Sequence, residues 1–95
     1  MHPDIKSVDL SSALYALSDP VRLEIVKSLA QDSDQTCGEI DVDVANSTKS
    51  YHMKILRESG IIRMCAEGKE RYASLRKEEL NKRFPGLLTS ILEAL

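Results

Sequence analysis

Between residues 46 and 75 the chain changes its period abruptly, and that change restricts what it can fold into more than any other feature. Over residues 46–59 apolar side chains recur at helical spacing, and Gly60 supplies the left-handed stop that closes such a helix. Ile61-Ile62-Arg63-Met64 then reads as a short β run, Ala66-Glu67-Gly68-Lys69 as a turn, and Arg71-Tyr72-Ala73-Ser74-Leu75 as the returning strand. The spacing predicts a helix docked directly on a hairpin.

Upstream, Leu10, Ala13, Leu14 and Leu17 recur at helical spacing and predict a short first helix. Asp19-Pro20 reads as an N-cap followed by a proline at the first helical position, where a missing N–H costs nothing. Val21, Ile25, Val26 and Leu29 form the stripe of a second helix ending near Ala30. Residues 31–36 read as a polar loop, 37–40 as one helical turn at most, and 41–45 as an irregular connector. Downstream, a helical stretch starts near Lys77, is interrupted at Phe84-Pro85-Gly86, and resumes with Leu87, Leu88, Ile91, Leu92 and Leu95. Residues 1–8 read as a loose tail. The predicted class is mainly α (α+β), a winged helix-turn-helix: helices, a two-stranded β wing and a C-terminal helix, all in one domain over residues 1–95.

Composition excludes more than it assigns. The chain is 42% hydrophobic and 29% charged, as an ordinary globular protein is. No apolar run approaches the ~20 residues of a bilayer span, and the first ten residues lack the basic-then-apolar pattern of a signal peptide. Cytoplasm is the expected location, with no membrane partner. The net charge of −2 conceals an asymmetry. Residues 1–45 hold three Lys/Arg against nine Asp/Glu, and residues 46–95 hold ten against six. A polyanion would meet the second half.

Rotating residues 46–59 at helical pitch separates two faces. Lys49, Met53 and Leu56 fall on one, with His52 at its edge. Ser47, Ser50, Tyr51 and Lys54 fall on the other, with Asn46 and Arg57 beside them. Short hydrogen-bonding side chains with positive charge are the groups that reach base edges and phosphates in a major groove. Lys69 and Arg71, at and after the hairpin turn, suit a wing that touches phosphate, although Glu67 and Glu70 alternate with them. By itself the same helix face also fits a solvated surface.

The chain resembles the ArsR-type family of bacterial winged-helix regulators. The likeness is carried by Ala16-Leu17-Ser18-Asp19-Pro20-Val21-Arg22-Leu23, by Ser47-Thr48-Lys49-Ser50-Tyr51-His52-Met53-Lys54-Ile55-Leu56-Arg57-Glu58-Ser59-Gly60-Ile61-Ile62, and by the hairpin at Glu67-Gly68. It implies a homodimeric repressor of double-stranded DNA, bound to an imperfect palindrome and released by an unidentified signal. It further implies that the first and last helices pack across the two-fold axis, through Leu10, Leu14, Leu88, Ile91 and Leu92. By the same likeness Asn46, Ser47, Ser50 and Tyr51 read bases, while Thr48, Lys54 and the wing hold phosphates. Lys49, which stands where the family has Val or Leu, is expected to snorkel outward and is counted with the DNA-facing residues. Tyr51 replaces the first of two paired histidines. Ala45 stands at the N-cap where Ser is usual, which leaves Asn46 as a competing cap. The connector over residues 40–45 is short for the helix that precedes the recognition helix.

Many family members sense soft metals through a Cys-x-Cys pair or through the last helix. Here Cys37 is single, with Glu39 two residues on, and the last helix carries neither His nor Cys. No metal or other cofactor is expected. Cys37 and Cys65 leave a thiol switch open, although Cys65 is expected to be half-buried and inert. Among a small organic inducer, a partner protein and no inducer at all, the sequence does not choose. No catalytic motif is present, so the chain is not read as an enzyme. The competing reading is a winged helix that binds protein rather than DNA.

Overall fold

A computed structural model describes residues 2–95, arranged as five α-helices and a three-stranded antiparallel sheet. Helix α1 spans Leu10–Ala16 and α2 spans Pro20–Gln31. Asp19 caps α2 as expected: its Oδ2 accepts from the backbone N–H of Val21 at 2.9 Å and of Arg22 at 3.2 Å, with Pro20 at the first position. Strand β1 is Gln35–Thr36, α3 is Asn46–Glu58, β2 is Ile62–Glu67 and β3 is Glu70–Leu75. Helices α4, Lys77–Arg83, and α5, Leu87–Ala94, complete the chain. The sheet order is β1-β3-β2, so the hairpin gains a third, two-residue strand that the polar sequence of residues 31–36 conceals. No helix among the described residues is long and apolar enough to cross a membrane.

The core forms where α2 and α3 meet the sheet. Ile25, Val26 and Leu29 of α2, Met53 and Leu56 of α3, and Ile61, Ile62 and Ala73 are buried together with Ala13, Ala16, Leu80 and Leu88. Each large side chain so buried contributes about 1.5–3 kcal/mol relative to exposure. Gly60, at φ +79°, ends α3 and lets the chain pass directly into β2. A Cβ there would lie 2.5 Å from Cγ2 of Val8, so the glycine is required twice over.

The N-terminal segment is not the loose tail its sequence suggests; Met1 lies outside the described residues. Asp4 caps a 3₁₀ turn, Ile5–Ser7, and Val8 is buried beneath Gly60. His2 Nε2 accepts the backbone N–H of Met64 at 2.8 Å, and the Pro3 carbonyl accepts from Arg76 at 2.8 Å. The segment covers the open edge of β2, where unpaired ladder groups would otherwise face solvent. Burial, with the positive charge of the N-terminal amine, Arg63, Arg76 and Arg57, holds His2 below its ordinary pKa and favours the neutral, accepting ring.

At the other end, Leu88 departs from its expected role. It is 3% exposed and packs inside this chain, because α5 folds back so that Leu87 and Leu88 border the same small cavity as Leu17, Ile61 and Leu80. Ile91 and Leu92 are half-buried, while Leu10 and Leu14 of α1 are 49% and 45% exposed.

Candidate nucleic-acid interface

Helix α3 has one buried and one exposed side. Met53 and Leu56 are buried in the core, and His52 is 9% exposed. Asn46, Ser47, Thr48, Ser50, Tyr51 and Lys54 are all exposed, with Tyr51 at 56%. Ala45 is the N-cap residue and contributes no side-chain bond; Asn46 begins the helix and does not replace it as cap. The first-turn N–H groups therefore have no side-chain cap at the end where a phosphate would approach.

Lys49 does not snorkel outward. It is 6% exposed, and its Nζ donates to the carbonyls of Cys37 at 2.8 Å and Ile40 at 2.9 Å. The reason lies in the short connector. Residues 37–40 make a single turn, closed by the Ile40 N–H on the Thr36 carbonyl at 3.3 Å, where a helix-turn-helix would carry its first helix. Its start is capped reciprocally: Glu39 Oε1 accepts the Thr36 N–H at 2.9 Å, and Thr36 Oγ1 accepts the Glu39 N–H at 3.3 Å. One turn cannot satisfy its own last carbonyls, and the Lys49 ammonium does so. Two departures from the family's usual text, the short connector and the lysine, thus compensate each other. Lys49 orients α3 from within and is withdrawn from the DNA-facing set.

A second internal cation fixes the other edge of α3. Arg22 is 4% exposed; its Nε donates to the Ala16 carbonyl at 2.7 Å, Nη2 to the Tyr15 carbonyl at 3.1 Å, and Nη1 to His52 Nδ1 at 3.1 Å. The His52 ring in turn meets Tyr51 edge-on, centroids 5.3 Å apart. The orientation of the exposed Tyr51 ring is thereby traced back to the start of α2. In the sequence Arg22 stands only within the Asp19-Pro20-Val21-Arg22 segment with no role attached, although its spacing from Ile25, Val26 and Leu29 places it on the buried stripe of α2.

The hairpin turns at Gly68-Lys69, with Gly68 at φ +64°, and Lys69 and Arg71 are exposed. Strand alternation puts Arg71, Met64 and Ala73 on the side of the sheet that faces α3. Arg71 consequently borders one cleft with Lys54 and Arg57, which the linear alternation of Glu67, Lys69, Glu70 and Arg71 hides. Cys65 is exposed rather than half-buried and alternates to the opposite side, while Cys37 borders the cleft. The two thiols lie on opposite faces of the sheet, an arrangement that gives no support to a direct bridge between them. Among the described residues no three His, Cys, Asp or Glu side chains gather as a metal ion would require.

A helix with one polar, basic side exposed, followed by a hairpin that adds cations to the same cleft, defines a winged helix-turn-helix. Residues 17–65, more than half of the chain, match the family described as a helix-turn-helix domain. The chain is 34% identical over 79 residues to the uncharacterized HTH-type transcriptional regulator YceK of Bacillus subtilis (strain 168), covering 80% of this chain and 79% of that protein. Among solved structures, an ArsR-like transcriptional regulator from Rhodococcus sp. RHA1 superposes with a TM-score of 0.72 at 28% identity, covering 90% of this chain and 81% of that one. The transcriptional repressor BigR from Xylella fastidiosa superposes with a TM-score of 0.71 at 25% identity, over 90% and 85% of the two chains. The protein belongs to the ArsR-type helix-turn-helix transcriptional regulators and carries their DNA-binding motif.

Proposed function

We propose that the protein is a homodimeric, cytoplasmic repressor that binds an imperfect palindrome in double-stranded DNA and does no catalysis. The observation that carries this reading is the exposed row on α3, formed by Asn46, Ser47, Ser50, Tyr51 and Lys54 on a helix whose other side is buried. In this reading Asn46, Ser47, Ser50 and Tyr51 meet base edges. Thr48, Lys54, Lys69 and Arg71 hold phosphates.

The second copy is supported by α1. Its Leu10, Leu14 and Tyr15 are 49%, 45% and 58% exposed, and a chain of 95 residues gains proportionately from covering such a face. Leu10, Leu14, Ile91 and Leu92 form the proposed interface, with Leu88 removed from it. Two α3 helices would then enter successive major grooves on one side of the duplex. The name repressor follows BigR, a structural neighbour described as one.

The roles are separated by comparing Ser50→Ala and Lys54→Ala on specific and random duplexes across a salt series. Lys54→Ala should weaken binding to both and flatten the salt slope by about one. Ser50→Ala should narrow the gap between the two DNAs by about 1–3 kcal/mol. Equal losses on both DNAs for Ser50→Ala would move that residue to the backbone, and an unchanged slope for Lys54→Ala would remove its phosphate.

A further inference from the structure

The cleft between α3 and the wing is lined by more than cations. It is a half-open cavity of about 270 Å³ between α3 and the helix-facing side of the sheet. Its inner wall holds three sulfur-bearing residues: Cys37, Met53, which is only 2% exposed, and Met64. Its outer part is lined by Ser50, Lys54, the half-buried Arg57 and Arg71, and no carboxylate is among the residues that line it.

We infer that this cavity binds a small aromatic carboxylate, and that its occupant and DNA exclude one another. The wall and the mouth select different parts of such a molecule. Thioether and thiol sulfurs are polarizable and favour contact with aromatic rings. The cations at the mouth favour a carboxylate, which Arg71 can engage through paired N–H donors. Drug-sized ligands occupy pockets of about 300–1,000 Å³, so this cavity suits a single substituted ring. A neutral aromatic would use the sulfur wall and not the charge of Lys54 and Arg71, and a bare anion would use that charge and not the wall.

Exclusion follows from shared groups. Lys54 and Arg71 are phosphate-holding residues in the proposed DNA complex, and a carboxylate held by them removes two of those contacts. The linkage is reciprocal, so DNA must weaken the ligand by the factor by which the ligand weakens DNA. This part rests on the DNA-binding reading above; the cavity's affinity for the carboxylate does not.

The test is a ¹⁵N–¹H chemical-shift titration of the full chain with phenylacetate, without DNA, against acetate and phenylacetamide. Saturable shifts centred on the residues that line the cavity are expected, with both controls at least tenfold weaker. Arg71→Gln should weaken phenylacetate at least tenfold, and Met64→Phe, which fills the cavity, should abolish the saturable shifts while leaving the spectrum folded. Absence of saturation, or equal affinity for phenylacetate and phenylacetamide, overturns the site whatever the protein does with DNA. A second arm follows release of a fluorescent duplex at low salt. Release by phenylacetate from the wild type but not from Met64→Phe supports exclusion. A ternary complex with unchanged DNA affinity overturns exclusion and leaves the site standing. Saturable phenylacetate binding by a protein that binds no duplex would sink the DNA-binding reading instead.

Discussion

Arg22 is the residue whose loss should be felt furthest from where it sits. Replacing it with Met keeps an apolar stem of similar length and removes every donor. The Tyr15 carbonyl keeps partners, since the Ser18 N–H and hydroxyl reach it at 3.1 and 2.6 Å. The Ala16 carbonyl is in a different position: the residue four further on is Pro20, which has no N–H to offer, and Arg22 Nε at 2.7 Å replaces it. His52 Nδ1 likewise loses a 3.1 Å donor. Two buried acceptors are left unsatisfied at about 1–3 kcal/mol each, partly offset because no charge is then buried. The expected cost is about 2–4 kcal/mol, against a total of about 5–14 kcal/mol for a chain of this length. With a urea slope of about 1–2 kcal/mol/M, the midpoint followed by circular dichroism should fall by about 1–4 M. Protein concentration must be held fixed, because dimerisation would shift the midpoint. Arg22→Lys should recover only part of the loss, since one ammonium cannot reproduce the guanidinium fork. A Met variant within about 0.5 kcal/mol of wild type would show that the three bonds carry no net stability and that α3 is positioned by apolar packing alone.

Three further outcomes follow from other contacts. Gly60→Ala combines a left-handed φ with a Cβ 2.5 Å from Val8, and should cost about 2–4 kcal/mol in the same urea assay. Val8→Ala in the same chain should return the steric part, and simple additivity of the two changes would refute the contact. Hydrogen bonds from Arg76 at 2.8 and 3.1 Å, against opposing burial, and from Arg63 at 2.6 Å hold Glu79 down to about 2, below its ordinary 4.5. Its stabilising contribution is therefore complete above about pH 4.5 and disappears as pH falls toward about 2; Glu79→Gln should flatten that part of a pH–stability curve, and an unaltered curve would discard the network. Leu14→Asp should shift sedimentation to the monomer with the fold intact, and a variant still dimeric would place the interface away from α1.

The architecture was legible where pattern and backbone chemistry agree. Asp19-Pro20 announces the start of α2, and Gly60 marks the change from helix to strand because only a residue tolerant of positive φ turns the chain there. The polar side of α3 could be read from rotation alone. What remained hidden depends on contacts distant in sequence. Val8 meets Gly60, His2 meets Met64, and β1 pairs with β3 through only two polar residues, Gln35 and Thr36. Lys49 and Arg22 show the same limit from the other direction. Each stands on an apolar stripe, which shows that it faces inward. Only the tertiary structure reveals the carbonyls left by the short connector and by Pro20 that make a buried cation tolerable. Leu88 is buried in its own chain, which an apolar stripe alone does not distinguish from facing a second copy.

The central claim is that α3 and the wing read DNA, and fluorescence anisotropy tests it most directly. Labelled DNA from upstream of the protein's own gene would be titrated at physiological salt, beside a random duplex of equal length. The account predicts tighter binding to the upstream DNA by a factor on the order of 10³ or more, with a stoichiometry of two chains per site. No binding to either duplex, with the protein folded and at concentrations well above those of non-specific association, would contradict it and turn attention to a protein partner for the same exposed face.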